Sequence, residues 1–195
     1  MAEPWNHNIH YHRLILDAIP PGAQHALDVG CGEGTLARQL RALVPHVTAI
    51  DSDPASIALA REHAGADIEY LLGDFLTFPF QPASFDFIAS VATLHHMDAG
   101  AALTRMRDLL RPGGTLAIIG LPRPNLPADL PWLLASTAGS AVHRLTRRYW
   151  EHPSPTLWPP PETYAGMRRI ATRILPGSRL RRHLLWRYSL IWTKA

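Results

Sequence analysis

Five short apolar runs between residues 25 and 120 constrain this chain more than any other feature: "HALDVG", "VTAID", "IEYLLGD", "FDFIASVA" and "GTLAIIG". Each reads as a buried strand, and most are followed by a segment with helical spacing. In "TLARQLRAL" the apolar positions Leu36, Leu40 and Leu43 fall on one helical face. "DPASIALAREHA" places Pro54 at the first helical position, with Asp53 or Ser52 as cap. "AGAALTRMRDLLRPGG" predicts a helix closed by Pro112 and a Gly113-Gly114 turn. Strands alternating with helices require right-handed crossovers, hence an α/β fold with a mostly parallel sheet and helices on both faces. Such sheets bind ligands beyond the carboxyl ends of their strands. The informative residues are therefore Gly30 to Gly34, Asp51 to Asp53, Asp74 with Phe75, and Val91 to His96.

Two flanking segments depart from this rhythm. Residues 1–22 predict a helix ended by Pro20-Pro21, and residues 121–161 are rich in proline. Both are expected to cap the site rather than to form a second domain, so all 195 residues make one unit with its core at 26–120. The last eighteen residues read as two further strands, which brings the sheet to seven. No apolar run approaches the roughly 20 residues of a membrane span. The start carries an early acid and no apolar signal core, so the expected location is cytoplasmic. Cys31 is the single cysteine, which excludes an internal disulfide and a cysteine-based metal cluster. The net charge of +3 is uneven, being −6 up to residue 142 and +9 beyond it, almost all of it arginine.

Gly30, Gly32 and Gly34 form a G-x-G-x-G turn between the first strand and its helix. Glycine there permits positive φ and close approach of a ligand to the backbone. The next helix begins at about Thr35, so its free N–H groups and positive dipole end are expected to face that ligand. A dinucleotide loop would carry its third glycine where this chain has Thr35, which argues against a nicotinamide cofactor. Tight packing without a ligand is the alternative reading of the same glycines. Asp51 ends the second strand about twenty residues after the first glycine, where a carboxylate can accept both hydroxyls of a ribose. Asp74 offers an acceptor for an adenine amine, with Phe75 as an aromatic wall. Each acid taken alone also suits a helix cap or a surface charge.

The segments "LDVGCGEG", "VTAIDSDPASIALAR", "LLGDFLTFPF", "FDFIASVATLHHM" and "LLRPGGTLAIIG" stand in the order and spacing of class I S-adenosylmethionine-dependent methyltransferases. The chain most resembles their small-molecule group, of the ubiquinone and menaquinone biosynthesis type. The resemblance covers about residues 26–120 and implies a Rossmann-like seven-stranded sheet with S-adenosyl-L-methionine as cofactor. It places the methionine part at Gly30, Cys31, Gly32 and Gly34, with Asp28 near its amine. It puts the ribose at Asp51 and Ser52, the adenine at Asp74 and Phe75, and the sulfonium near Val91. The N-terminal "NIHYH" resembles a segment that closes over the cofactor, and Tyr11 and His12 are its expected contacts. Cys31 reads as a small buried filler, not a nucleophile.

His95 and His96 follow the fourth strand at the expected mouth of the site and are the candidate bases, with a structural turn as the alternative. His7, His10 and His12 do not share a helical face and have no suitably spaced acid, so no metal site is assigned. The segment after strand four, "SVATLHH", lacks the Asn/Asp-Pro-Pro-aromatic motif of base N-methylating enzymes. A small-molecule acceptor is the expected partner. An RNA acceptor held by the C-terminal arginines is the rival, although no recognised RNA-binding appendage is present. A cofactor-binding protein without transferase activity is a third reading.

Overall fold

The computed structural model describes residues 5–63, 67–146, 149–150 and 157–195. Seven strands form one sheet: β1 (His25–Val29), β2 (His46–Asp51), β3 (Ile68–Leu72), β4 (Phe85–Val91), β5 (Leu110–Gly120), β6 (Arg179–His183) and β7 (Arg187–Thr193). Their order across the sheet is β3-β2-β1-β4-β5-β7-β6. The pairs among β1 to β5 are parallel, and β7 runs antiparallel to both β5 and β6. The strand order thus reverses between β1 and β4, the position where such sheets hold ligands.

Period-two alternation sorts the strand side chains onto two faces. Leu27, Val29, Ile88, Leu116 and Ile118 pack with α4 (Ala99–Leu109) and α6 (Tyr164–Ile174) through Leu103, Met106, Met167 and Ala171. Ala26, Phe87, Ala89, Ala117 and Ile119 face the other way. They meet α1 (His12–Leu16), α2 (Thr35–Arg41) and α3 (Pro54–Glu62) through Ile15, Leu36, Leu40, Ile57 and Ala60. Helices cover both faces, as the alternation of runs requires.

Three local expectations need correction. The helix before β5 stops at Leu109, not at Pro112, because Leu110 is already extended at φ −72 and ψ 141. Pro112, Gly113 and Gly114 instead lie in the opening residues of β5. A proline two residues on can supply no helical N–H, which favours the early exit. The N-terminal helix is short. A 3-10 turn at Ile9–Tyr11 runs into α1, which ends at Leu16, four residues ahead of Pro20. α6 was not anticipated, although Thr163 caps it by accepting from the Gly166 N–H at 3.0 Å. Of the 121–161 segment, α5 (Leu130–Thr146) is described. Residues 147–148 and 151–156 lie outside the described residues.

Candidate functional site

A cavity of about 620 Å³ opens beyond the carboxyl ends of β1, β2 and β4. Its size suits a small molecule. A larger hollow of about 810 Å³ lies along α4, between Leu76, Thr104 and Arg173, away from those strand ends. The chemistry that the sequence singles out collects in the first.

Of the expected site residues, His12, Asp28, Gly30, Cys31, Gly32, Asp51, Ser52, Val91, His95 and His96 line the cavity. Tyr11, Gly34, Asp74 and Phe75 do not. Tyr11 is buried and donates its hydroxyl to the Leu184 carbonyl at 2.8 Å. Gly34 caps α2 with φ +79. Asp74 is exposed and accepts from the Leu76 N–H at 2.9 Å. Phe75 is 4% exposed in the core, with the Arg105 guanidinium over its ring.

The glycine turn has a different logic from the one its sequence suggests. Gly30, Gly32 and Gly34 all take positive φ. A Cβ on Gly30 would lie 2.1 Å from Thr93 Cγ2, and one on Gly34 would lie 2.4 Å from the Tyr70 hydroxyl. Close packing within the protein therefore forbids a side chain at both positions, before any ligand is considered. Four N–H groups of the loop itself are committed within the protein. Gly30 and Cys31 donate to Ile50 O at 2.8 and 3.1 Å, Gly34 to Cys31 O at 2.9 Å, and Gly32 to Asp51 Oδ2 at 2.8 Å. Buried backbone donors find partners as a rule.

Asp51 ties this turn to the start of α3, since its Oδ1 accepts from the Asp53 N–H at 2.9 Å. Each carboxylate oxygen keeps a further lone pair toward the cavity. Asp28 lies beneath it, 1% exposed, and its Oδ2 has no partner. Burial, helped by the charge of Asp51, pushes its carboxyl up to about 7. A cationic ligand would relieve that strain. Burial raises the Cys31 thiol far above its usual range, and its sulfur donates to Gly32 O at 3.6 Å.

Beyond β4, Ala92 takes φ 56, a conformation that non-glycine residues rarely adopt and that clusters at functional sites. A 3-10 turn at Leu94–His96 follows and brings the His95 and His96 rings to 4.2 Å between centroids, tilted by 41°. His95 is pushed down to about 4, first by burial, then by the charges of His96 and Arg187, and its buried Nδ1 has no partner. Burial lowers His96 as well, against the opposing charge of Asp51. The N-terminal histidines turn to different partners: His7 to Ser140 at 3.0 Å, His10 to Trp5 Nε1 at 3.4 Å, and His12 to Gln39 at 2.8 Å.

Asn6, His7 and Asn8 line the cavity from the N-terminal side, and Leu121, Tyr149 and Trp150 from the 121–161 segment. The two segments meet where the Trp150 N–H donates to Trp5 O at 2.9 Å. Three further aromatics in or just after that segment do not line the cavity. Trp132 donates to His183 O, Tyr164 donates to Leu180 O, and Trp158 is exposed. The residue that sequence reasoning missed is Arg187, which enters from the start of β7. Its signal was an arginine within a largely apolar run, "LLWRYSLIW".

The sheet order, the glycine turn and the strand-end acid together define a Rossmann-like fold of the methyltransferase kind. The family described as Methyltransferase domain matches residues 27–118. The Uncharacterized methyltransferase Rv0089 of Mycobacterium tuberculosis (strain H37Rv) is 40% identical over 194 residues, 98% of each chain. The ubiquinone biosynthesis O-methyltransferase of Xylella fastidiosa (strain 9a5c) is 39% identical over 111 residues, 53% of this chain and 44% of that one. Among solved structures, a SAM dependent methyltransferase from Aquifex aeolicus superposes with TM-score 0.65 at 17% identity, covering 94% of this chain and 89% of that one. The PH0226 protein from Pyrococcus horikoshii gives 0.69 at 16%, covering 95% and 88%. The chain belongs to the S-adenosylmethionine-dependent methyltransferases. No helix among the described residues is long and apolar enough to cross a membrane.

Proposed function

We propose that this enzyme transfers a methyl group from S-adenosylmethionine to an O, N or C atom of a small-molecule acceptor. The observation that carries the reading is the cavity at the reversal point of the sheet, with Asp51 and the glycine turn at one side and a buried acid with one unpartnered oxygen beneath. Its lining fits the cofactor's charges. Asp51 would take the ribose hydroxyls on its remaining lone pairs, with Ser52 beside it. Gly30 and Gly32 would border the methionine part, and the unpartnered Oδ2 of Asp28 suits its ammonium. Asp74 and Phe75 have no part in this arrangement as they stand.

The bound cofactor supplies a methyl on a positively charged sulfur, so most of the chemistry is its own. What the chain adds is position. Val91, Ala92 and Thr93 line the cavity past β4, and the N-terminal turn with Tyr149 and Trp150 borders it on the capping side. Holding an acceptor in line can contribute roughly 7–11 kcal/mol. His95 is neutral near pH 7, so it offers one ring nitrogen as acceptor and the other as donor. With its pKa near 4 it is a feeble base and serves to orient the acceptor.

The test is transfer of labelled methyl from S-adenosylmethionine into a fractionated cell extract. Label in the small-molecule fraction is the expected result. Label confined to RNA would replace this reading with one built on the exposed arginines of α6 and β6.

A further inference from the structure

Arg187 is the charge in this molecule that the reading above leaves without a use. It is 7% exposed and lines the cavity. Its Nε and Nη2 donate to Asn8 Oδ1 at 3.2 and 2.7 Å, and its Nη1 donates to the carbonyls of Leu185 and Trp186 at 3.2 and 3.4 Å. All of these acceptors are neutral. They fix the guanidinium in place and cancel none of its charge. Among the described residues no carboxylate pairs with it.

A neighbour shows what a purely structural arginine looks like here. Arg182, on the adjoining β6, lies between the Trp132 and Tyr164 rings and meets Asp129 at 2.7 Å. Burying a guanidinium without such a partner is costly, and a chain that only needed to tie Asn8 to β7 could do so with a neutral donor. The surroundings of Arg187 keep the site cationic. Burial holds His95 and His7 neutral, and the charge of Arg187 lowers both further. The Arg187 guanidinium itself is pushed down to about 10 by burial.

Placement separates this charge from the cofactor's own anchors. Asp51 ends β2 and Arg187 begins β7, four strands away in the sheet order, or roughly 19 Å at ordinary strand spacing. The cavity is therefore polar end to end, with Asp28, Asp51 and Asp53 at one side and Arg187 at the other. Leu121 and Trp150 add apolar surface to the same lining.

We propose that Arg187 is the anchor for an anionic group, carboxylate or phosphate, on the methyl acceptor, and so selects acidic small molecules as substrates. This rests on the methyl-transfer reading and names the chemical class of its acceptor. The remaining Nη2 N–H and the full charge are what the anion meets. An anion there would also draw the His95 pKa upward, toward a value useful for proton transfer.

The experiment begins with S-adenosylhomocysteine titrated into the protein, a step that tests the methyl-transfer reading alone. The saturated protein is then titrated with benzoate, phenyl phosphate and methyl benzoate; the unliganded protein serves if the first step fails. Binding of either anion at least tenfold tighter than the ester is expected, and the tighter of the two identifies carboxylate or phosphate as the source. Arg187→Met should remove that preference and leave S-adenosylhomocysteine affinity within threefold. Asn8→Asp guards against misfolding of that variant, because it places a carboxylate on the guanidinium inside the folded chain. It should abolish anion binding with the melting temperature kept or raised. Equal binding of ester and anions, no binding of either anion at millimolar concentration, or anion binding unchanged in Asn8→Asp would overturn the proposal. So would a loss of S-adenosylhomocysteine affinity in Arg187→Met, which would mean that the arginine holds the cofactor's own carboxylate.

Discussion

Gly30 illustrates how much one residue can carry and how little of it the sequence discloses. Its place in a G-x-G-x-G turn marks a special backbone, and φ +73 agrees. The physical reason lies 63 residues away in Thr93, whose Cβ, Cγ2 and Oγ1 would sit 2.1–2.5 Å from a side chain on Gly30. A motif shows that bare backbone is needed; only the fold shows against what. Gly30→Ala combines an overpacked contact with a left-handed backbone, and should cost roughly 2–5 kcal/mol of folding stability. Urea denaturation measures it. A variant as stable as the parent would mean that Thr93 can move aside and that the glycine is kept for a ligand. Asp51 was legible for the same reason as the glycines, since it ends a strand that the apolar run makes evident. Asp28 was named in advance, but its burial with one oxygen left unpartnered depends on the folded surroundings, which no local pattern reveals.

At the scale of elements, the strands were the most readable part of the chain, because short apolar runs bounded by turns leave few alternatives. The helices of the core followed from spacing. α6 was overlooked although Tyr164, Met167, Ala171 and Ile174 repeat at helical intervals, because proline-rich neighbours and arginine pairs obscured the pattern. Its cap is the checkable element. Thr163→Ala removes the acceptor of the Gly166 N–H and should cost about 1 kcal/mol, read as a lowered denaturation midpoint. An unchanged midpoint would show that packing against α4 alone holds α6. The position of Arg187 was not readable at all. It depends on β7 inserting antiparallel between β5 and β6, which brings the start of a strand to the end where the parallel strands finish. Sequence neighbours of Arg187 say nothing of that reversal.

The whole molecule carries opposed proton linkages. Burial and neighbouring positive charges hold His7 and His95 near 4 against an ordinary 6.5, so the unfolded chain takes up those protons first as pH falls. Stability is lost accordingly between about 6.5 and 4. Asp28 runs the other way. Its carboxyl is raised from 3.8 to about 7, so the native state takes its proton first, and its contribution grows as pH falls across that interval. Asp28→Asn removes the opposing group. Stability of that variant is expected to fall more steeply than the parent's between pH 6.5 and 4, as followed by urea midpoints across the range. Parallel pH profiles would contradict the assignment of a raised carboxyl to Asp28.

That the cavity is a site for S-adenosylmethionine is tested most directly by calorimetric titration of the protein with that cofactor and, separately, with NADH. Binding of the first and none of the second is the predicted result. Asp51→Ala should weaken the first by roughly tenfold to a hundredfold, the effect of removing a charged acceptor worth about 1.5–3 kcal/mol. A folded protein that binds no S-adenosylmethionine, or one whose affinity is indifferent to Asp51, would contradict it.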